Sequence, residues 1–383
     1  CSWHHWISHW SALNMSNIMY DYICETPDIL LSIIDGREDI CSSFVEAFRD
    51  KKIETLYLIG SGTSYHAGVS AKLYLEELTG LKVIPMYPPR FARDEKVYDR
   101  NSLVIGISQG GQSLSTAEGL DAARERGLMT AAVSANPKAL IFDHADTHTM
   151  LEVGNELCGA KTKGYGGSIA TVMMMGTELA LAQGITTKDQ VAPYLARMRM
   201  VAENLPAIVE AADAWYDRIA DDFFPAKRII VVGYDGMYGD VLEGALKILE
   251  TVRQGVAGYD IEEFFHGIYN SISDDSYLFY LASKGDYKPR TLRLIDILSE
   301  WTSHNYLIGS PEDVANPDRF ACTAPFLDDS LFSCWEYIIP LQIVACKASQ
   351  AHGIDPSIPK DPLFHSRIGS KVLDGVHDNY SIK

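Results

Sequence analysis

The sequence predicts an α/β protein whose parallel sheets carry helices on both faces. Short, almost wholly apolar runs such as Thr55–Ile59 alternate with longer helix-like stretches such as Ala67–Leu78. Strands of a parallel sheet have this continuous apolar character because both of their faces are covered. The same strand–loop–helix pattern begins again at Arg228. We therefore expect two sheet units in one chain.

The elements follow in order from this pattern. The predicted strands of the first half are 55–59, 82–86, 102–108, 129–134 and 147–153, and the segments 228–232, 277–281, 291–295 and 306–309 continue the pattern in the second half. Helical periodicity or buried apolar character predicts helices at 27–48, 67–78, 164–182, 188–220, 240–252 and 335–352. Strands that alternate with helices in this way are connected as βαβ units.

The length of 383 residues suits two domains. We place the first domain at 27–186, a helical linker at 187–225, the second domain at 226–355, and a tail at 356–383 that closes on the functional site. Residues 1–26 form a leader, and its first 14 residues crowd Trp and His without a helical stripe. We interpret that stretch as a tag or a frayed terminus and leave it out of the fold.

Composition excludes several classes of function. The net charge of −18 disfavours nucleic acid as a partner, because an acidic chain repels polyanions. No apolar run is long enough for a transmembrane helix. The seven cysteines are scattered without CxxC spacing, which predicts neither a metal site nor a disulfide framework and suits a cytoplasmic protein with reduced thiols. We expect no cofactor.

Two loops that follow predicted strands predict a phosphate site. The candidate phosphate-binding residues are Ser61, Thr63 and Ser64 in the first loop, and Ser108, Gln109, Gly110, Gly111 and Ser113 in the second. Glycines let backbone N–H groups face a ligand, hydroxyls add donors, and the following helix directs its positive end there. Either loop alone is equally compatible with a turn and an N-cap. Two such loops on one sheet favour binding, since ligands lie at the carboxyl ends of parallel strands.

The motifs Gly62–Tyr65 and Ile107–Ser113 resemble the SIS (sugar isomerase) domain, and the resemblance extends as a tandem pair over residues 27–371. The chain is similar to the isomerase half of glucosamine-6-phosphate synthase and to the fructosamine-6-phosphate deglycases. This resemblance implies two flavodoxin-like, doubly wound, three-layer αβα domains, and it implies that Ser64, Ser108, Gln109 and Ser113 hold the phosphate. Gly110, Gln112 and Ser113 depart from the Ser, Glu and Thr that are usual in the synthase.

The second half supplies candidate acid–base residues. Glu243, Lys247 and Glu250 lie close to helical spacing, which also fits a solvated ion pair. Apolar neighbours indicate that the helix is mostly buried, so a carboxylate at its end can serve as a base. The resemblance implies that Glu250 moves a proton between C1 and C2 of an open-chain sugar phosphate. It also implies that His266 acts from a neighbouring subunit, within a homodimer or larger homo-oligomer.

Two further features complete the predicted site. The string Glu263–Gly267, which contains His266, resembles the deglycases, and a histidine beside aromatic residues is otherwise usually structural. By similarity to the synthase, Lys371 is the lysine that forms a Schiff base with the ketose, although a plain surface lysine fits nearly as well; His365 is a secondary candidate. The loop Gly233–Gly239 lacks a Ser/Thr cluster, so we expect that half to shape the pocket and dimer without binding a second phosphate.

Three functions remain open. The first is a deglycase that cleaves a fructosamine 6-phosphate to glucose 6-phosphate and an amine. The second is a ketose/aldose or amino-sugar phosphate isomerase or deaminase that uses the same enediol chemistry, and the third is a non-catalytic sugar-phosphate regulator. No glutaminase domain is expected before Pro27. The combination of Glu250 and His266 favours an enzyme, and the deglycase-like string favours the first reading.

Overall fold

The computed structural model describes residues 18–310 and 320–371. The predicted leader up to residue 17 and the end of the tail from residue 372 lie outside the described residues. Within those described, contacts divide the chain into two units. The β1–β5 unit comprises 26–156, 163–203 and 360–371, and the β6–β10 unit comprises 18–25, 157–162, 204–310 and 320–359.

The β1–β5 unit contains a parallel sheet with the strand order β2-β1-β3-β4-β5. Its strands are β1 (Thr55–Ile59), β2 (Lys82–Met86), β3 (Ser102–Ile107), β4 (Met129–Ser134) and β5 (Thr147–Met150). This is the flavodoxin-like order, in which the chain leaves the central strands in opposite directions. The helices of the first half are α1 (Ile18–Ile40), α2 (Ser42–Phe48), α3 (Thr63–Thr79), α4 (Pro88–Arg93), α5 (Leu114–Glu125), α6 (Lys163–Ala182) and α7 (Lys188–Phe223).

The β6–β10 unit repeats the arrangement with the order β10-β9-β8-β6-β7, also parallel. Its strands are β6 (Arg228–Gly233), β7 (Gly255–Asp260), β8 (Ser276–Ala282), β9 (Asn305–Gly309) and β10 (Ala321–Cys322). The helices after β6 are α8 (Tyr238–Val252), α9 (Ile261–Phe265), α10 (Lys288–Leu298), α11 (Cys334–Ala351) and α12 (Phe364–Ile368), of which α12 belongs to the other unit.

Each face of the first sheet packs against its own helices. Tyr57 and Val104 point to the face that α5 covers, where they share a buried cluster with Leu120. Leu103 points to the opposite face and lines a small apolar cavity together with Val172 of α6. The alternation follows from the two-residue repeat of a strand, and burial of both faces explains why the sequence is apolar throughout. The predicted α/β class with three layers is confirmed.

Several elements differ from the sequence-based expectation. Helix α1 starts at Ile18 and includes Pro27, whereas the pattern indicated a start at Pro27. Strands β7 and β10 were not predicted, because Gly255–Asp260 contains two glycines and Ala321–Cys322 has only two residues. The segment 291–295 lies in helix α10. Among the described residues, no helix is long and apolar enough to cross a membrane.

Candidate functional site

The first loop joins β1 to α3 in only three residues, Gly60–Gly62. Gly62 has a φ of 56°, a conformation that side chains disfavour, and it allows the chain to enter the helix directly after the strand. Ser61 is exposed, whereas Thr63 and Ser64 in the first helical turn are half-buried. Amide groups in the first turn of a helix have no partner within that helix. The loop therefore presents backbone donors and hydroxyls at the carboxyl edge of the sheet.

The second loop, Ser108–Ser113, joins β3 to α5. Gly111 has a φ of 75°, and a Cβ atom at this position would lie 2.3 Å from the Cβ atom of Ala139. Gly110 is exposed, and a Cβ atom there would meet nothing within 4 Å. Ser108 is buried at the end of β3, where its N–H donates to the carbonyl of Val133 at 3.0 Å. Gly111 therefore packs against the protein, whereas Gly110 faces open space.

Ser113 is the N-cap of α5. Its Oγ accepts from the N–H of Thr116 at 3.3 Å and from the hydroxyl of Thr116 at 3.0 Å. Since both acceptor positions are used, the hydroxyl proton of Ser113 is available to Ser115, whose Oγ lies 3.2 Å away, or to a ligand. A hydroxyl in this arrangement is suited to donate to a phosphate oxygen.

Gln109 is held by several contacts. Its carbonyl oxygen accepts from Ala135 N and from Ser134 Oγ, each at 3.0 Å. Its side-chain Nε2 donates to Glu156 Oε2 at 2.7 Å. Hydrogen bonds therefore hold both ends of the loop, at Ser108 and Gln109 and at Ser113, the N-cap of α5.

The two loops leave neighbouring strands at the same edge of the sheet. β1 and β3 are paired in parallel, with Ile59 opposite Gly106. The structure thus places both loops at one edge of the sheet, and these loops and the helical turn after the first carry the eight candidate phosphate residues, Ser61, Thr63, Ser64, Ser108, Gln109, Gly110, Gly111 and Ser113. β1 connects to β2 and β3 connects to β4, on opposite sides, so the loops flank the topological switch point. Ligands of open parallel sheets bind at this place.

The tail reaches the second loop. Lys371 forms an antiparallel bridge with Ser113, and the N–H of Leu114 donates to the carbonyl of Ser370 at 3.3 Å. His365, the secondary candidate, contacts Ser370 Oγ through Nδ1 at 2.8 Å. Lys371 is exposed. The predicted lysine therefore lies beside the second candidate phosphate loop, in the same unit.

Helix α8 of the β6–β10 unit carries a charged cluster. Lys247 is 1% exposed, and its Nζ lies 3.4 Å from Glu243 Oε1 and 2.6 Å from Glu250 Oε2. Glu243 is fully buried, whereas the side chain of Glu250 is 36% exposed. A buried lysine between two carboxylates is not a solvated surface pair, which was the alternative interpretation. Glu250 therefore has a position fixed by Lys247 and access to solvent, so its carboxylate can meet a substrate.

His266 lies at the C-terminal end of α9, and its side chain is 71% exposed. Its Nε2 is 3.6 Å from Glu262 Oε1, and Glu262 Oε2 is 3.4 Å from Arg290. The side chain of His266 contacts Glu262, and that of Glu250 contacts Lys247. The described side-chain contacts thus do not join the two predicted catalytic residues to each other.

The carboxyl edge of the second sheet has a different chemistry. After β6, the hydroxyl of Tyr234 donates to the carbonyl of Ser283. Burial raises the pKa of Asp235, and the nearby carboxylates of Asp260 and Asp286 raise it further. Since this edge concentrates negative charge, it is unfavourable for an anion. The expectation that this half holds no second phosphate stays a prediction, and this chemistry favours it.

Comparison with known proteins adds independent evidence. The family model described as SIS domain matches residues 48–177. The isomerizing glutamine–fructose-6-phosphate aminotransferase of Gloeobacter violaceus is 24% identical over 314 residues, which cover 81% of this chain and 51% of that protein. The chain thus spans about half the length of the curated relatives it matches.

Solved structures extend the similarity over both units. A protein of Clostridium difficile 630, provisionally assigned as a phosphosugar isomerase, is 33% identical with a TM-score of 0.86, and the match covers 94% of this chain and 100% of that one. A provisionally assigned sugar binding protein of Salmonella typhimurium LT2 is 35% identical with a TM-score of 0.76, covering 86% of this chain and 99% of that one. The similarity therefore includes sequence as well as fold.

Proposed function

The chain belongs to the SIS domain family, and from this membership we propose that it is a sugar-phosphate-processing enzyme. More narrowly, we propose a deglycase that cleaves a fructosamine 6-phosphate to glucose 6-phosphate and an amine. The observation that carries the proposal is the pair of Ser- and Gly-rich loops at the carboxyl ends of β1 and β3. The proposed reaction also requires the acid–base residues of α8 and α9.

The phosphate is anchored by neutral donors. Ser64, Ser108, Gln109 and Ser113 supply side chains, and the exposed Gly110 leaves the backbone of the second loop accessible. The predicted contact from Gly111 is not supported, because Gly111 is buried and its N–H donates to the carbonyl of Ser108 at 2.9 Å. The start of α3 adds the positive end of a helix dipole. The departures of Gly110, Gln112 and Ser113 from the synthase pattern are compatible with this role, because backbone donation does not depend on the side chain and Ser113 keeps a hydroxyl.

The bond changes follow enaminol chemistry. Glu250 removes a proton from C1 of the open-chain fructosamine, and the electron pair forms a C1–C2 double bond while the C2 oxygen takes up a proton. Protonation at C2 then gives an imine between C1 and the amine nitrogen. Water adds to C1, and His266 protonates the departing nitrogen, so that glucose 6-phosphate and the free amine result. Lys247 orients Glu250 as the base through their ion pair.

We further propose that the enzyme is a homodimer or larger homo-oligomer in the cytoplasm. The exposed side chain of His266 is free to extend toward a neighbouring subunit, as the family resemblance implies. The six described cysteines are free thiols, which suits a reducing compartment. The substrate is a small phosphorylated sugar, and neither nucleic acid nor a membrane is a proposed partner.

An isomerase or deaminase is the second candidate, and one observation favours it. Lys371 lies beside Ser113 of the second phosphate loop, where a lysine can form an imine with a ketose carbonyl. An imine of this type suits interconversion of fructose 6-phosphate and an amino sugar. The third candidate, a sensor without chemistry, gives no role to the buried Lys247 between Glu243 and Glu250.

A substrate panel separates the three candidates. The protein is incubated with fructoselysine 6-phosphate, with fructose 6-phosphate plus ammonia, and with glucosamine 6-phosphate, and products are followed by coupled dehydrogenase assays and mass spectrometry. Glucose 6-phosphate from the first substrate supports the deglycase. Turnover only of the other substrates supports the isomerase or deaminase, and tight binding without turnover of any substrate supports the sensor.

A further inference from the structure

A buried carboxylate lies behind the second phosphate loop. Glu156 is 5% exposed, and its Oε2 accepts two hydrogen bonds, from Gln109 Nε2 at 2.7 Å and from the N–H of Gly164 at 3.1 Å. All three residues belong to the β1–β5 unit. One oxygen thus connects the loop after β3 with the first turn of α6.

The amide of Gln109 lies close to Gly164 of α6. A Cβ atom at Gly164 would lie 2.1 Å from Gln109 Oε1 and 2.3 Å from Gln109 Nε2. The side-chain amide of Gln109 therefore lies directly against the backbone of α6, and a side chain at position 164 would displace this amide. Together with the bonds to its carbonyl from Ser134 and Ala135, this contact holds Gln109 at both its backbone and its side chain.

A carboxylate in this position needs an explanation. Burying an ionised group is unfavourable unless hydrogen bonds compensate for the lost water. A negative charge behind an anion site also opposes the ligand electrostatically, so direct attraction cannot be its role. What Glu156 does provide is a fixed acceptor that determines where the amide of Gln109 lies. Loops that are held in their bound shape bind more tightly, because less conformational entropy is lost on binding.

We propose that Glu156 is a positioning residue of the phosphate site, which acts through Gln109 to hold the loop Ser108–Ser113 in the shape that accepts a phosphate. This inference rests on the proposed phosphate site. Glu156 itself makes no contact with the ligand. Since the hydrogen bonds from Gln109 and from Gly164 go to the same oxygen of Glu156, the amide oxygen of a glutamine can accept both.

The test is the binding of glucose 6-phosphate and of inorganic phosphate to the full chain by isothermal titration calorimetry. E156L, which removes the acceptor, is expected to weaken glucose 6-phosphate binding about tenfold, and E156Q to stay within about threefold of the unchanged protein. Q109A is expected to weaken binding as well. The double variant Q109A/E156L should then bind no more than about twofold worse than Q109A alone, because Glu156 acts through Gln109.

A matched control lies at the opposite edge of the same sheet. Asn101 Nδ2 donates to Glu54 Oε2 at 2.7 Å, so E54L removes a bond between the same two chemical groups, away from the loops. Its binding should stay within about twofold of the unchanged protein. G164A leaves Glu156 in place and displaces Gln109 instead, and it should weaken binding about tenfold. If E156L does not fold, G164A tests instead whether the position of Gln109 affects binding.

Three results would overturn the proposal. They are unchanged binding by folded E156L or by G164A, equal losses in E156L and E156Q, and additive losses in the double variant. If the unchanged protein binds neither probe, the phosphate site and this inference both fail. If it binds both probes but cleaves no fructosamine 6-phosphate, only the deglycase fails, and the role of Glu156 is still decided by the variants.

Discussion

Lys371 is paired with Ser113 across an antiparallel backbone bridge, which places a lysine from the tail next to the N-cap of α5. The hydrogen bond from Leu114 N to Ser370 O extends the same contact. The tail therefore contacts the candidate phosphate loop Ser108–Ser113 through its backbone. This contact connects the chemistry proposed for a lysine with the residues proposed to hold the phosphate.

The first prediction concerns covalent trapping at Lys371. If this lysine forms an imine with a ketose phosphate, borohydride reduction in the presence of fructose 6-phosphate will attach the sugar phosphate to it irreversibly. Peptide mass spectrometry should locate the adduct at Lys371. K371R keeps the backbone bridge and the positive charge but cannot form an imine, so it should give no adduct. Labelling of other lysines to the same extent would mean that Lys371 is an ordinary surface residue.

The second prediction compares two adjacent glycines. G111A places a side chain on a residue with positive φ and 2.3 Å from the Cβ atom of Ala139, so it should lower the free energy of unfolding by about 1–3 kcal/mol. G110A adds a methyl group where nothing lies within 4 Å, and it should change the free energy of unfolding by less than about 0.5 kcal/mol. Urea unfolding measures both. Equal effects would show that the loop is not packed as described.

The third prediction concerns the pH dependence of stability. Burial raises the pKa of Glu336 to about 7, against opposing hydrogen bonds from Leu327 N, Asp328 N and Asn204. Its pKa in the folded state thus exceeds that in the unfolded state, so between about pH 4.5 and 7 the folded protein keeps a proton that the unfolded chain loses. Stability should therefore fall as the pH rises through this window, by up to about 3 kcal/mol.

E336Q provides the reference for this measurement, because glutamine does not titrate. The free energy of unfolding of the unchanged protein minus that of E336Q should decrease from pH 5 to pH 7 in urea titrations. Other groups titrate in both proteins and cancel to a first approximation. A difference that is constant or that increases with pH would contradict the raised pKa.

The fourth prediction tests whether His266 acts across a subunit interface. E250Q and H266N should each be inactive as homodimers. When the two variants are mixed in equal amounts and exchange subunits, about half of the dimers are heterodimers. If His266 acts across the interface, one of the two sites in each heterodimer has both unchanged residues, so about a quarter of the full activity should return. If both residues of a site come from one chain, mixing restores nothing. Each variant measured alone at the same total concentration is the control.

The strands could be predicted well because the signal is local. Arg228–Gly233 and Ser276–Ala282 are buried along nearly their whole length, so each residue in them reports the same environment. Strand β7 escaped prediction because Gly255 and Gly258 interrupt its apolar character. Packing against neighbouring elements determines whether such a segment forms a strand, and the local sequence pattern does not contain that information.

The candidate site shows the same division. Ser64 and Ser113 could be proposed from the sequence because glycine-rich loops after apolar strands have a recognisable composition, and their role stays a prediction. Glu156 could not be proposed from the sequence, since it comes from a separate segment and meets Gln109 and Gly164 only in the folded chain. The apolar residues around Lys247 in the sequence could have indicated that this lysine is buried. The catalytic assignments of Glu250, His266 and Lys371 stay predictions.

The most direct test of the proposed function is the release of glucose 6-phosphate from fructoselysine 6-phosphate by the unchanged protein and by E250Q. We predict turnover by the former and a loss of at least about a thousandfold in kcat for E250Q. E250Q should bind glucose 6-phosphate as tightly as before, because the phosphate loops belong to the other unit. Turnover by E250Q close to that of the unchanged protein, or no release of glucose 6-phosphate by either, would contradict the deglycase with Glu250 as its base.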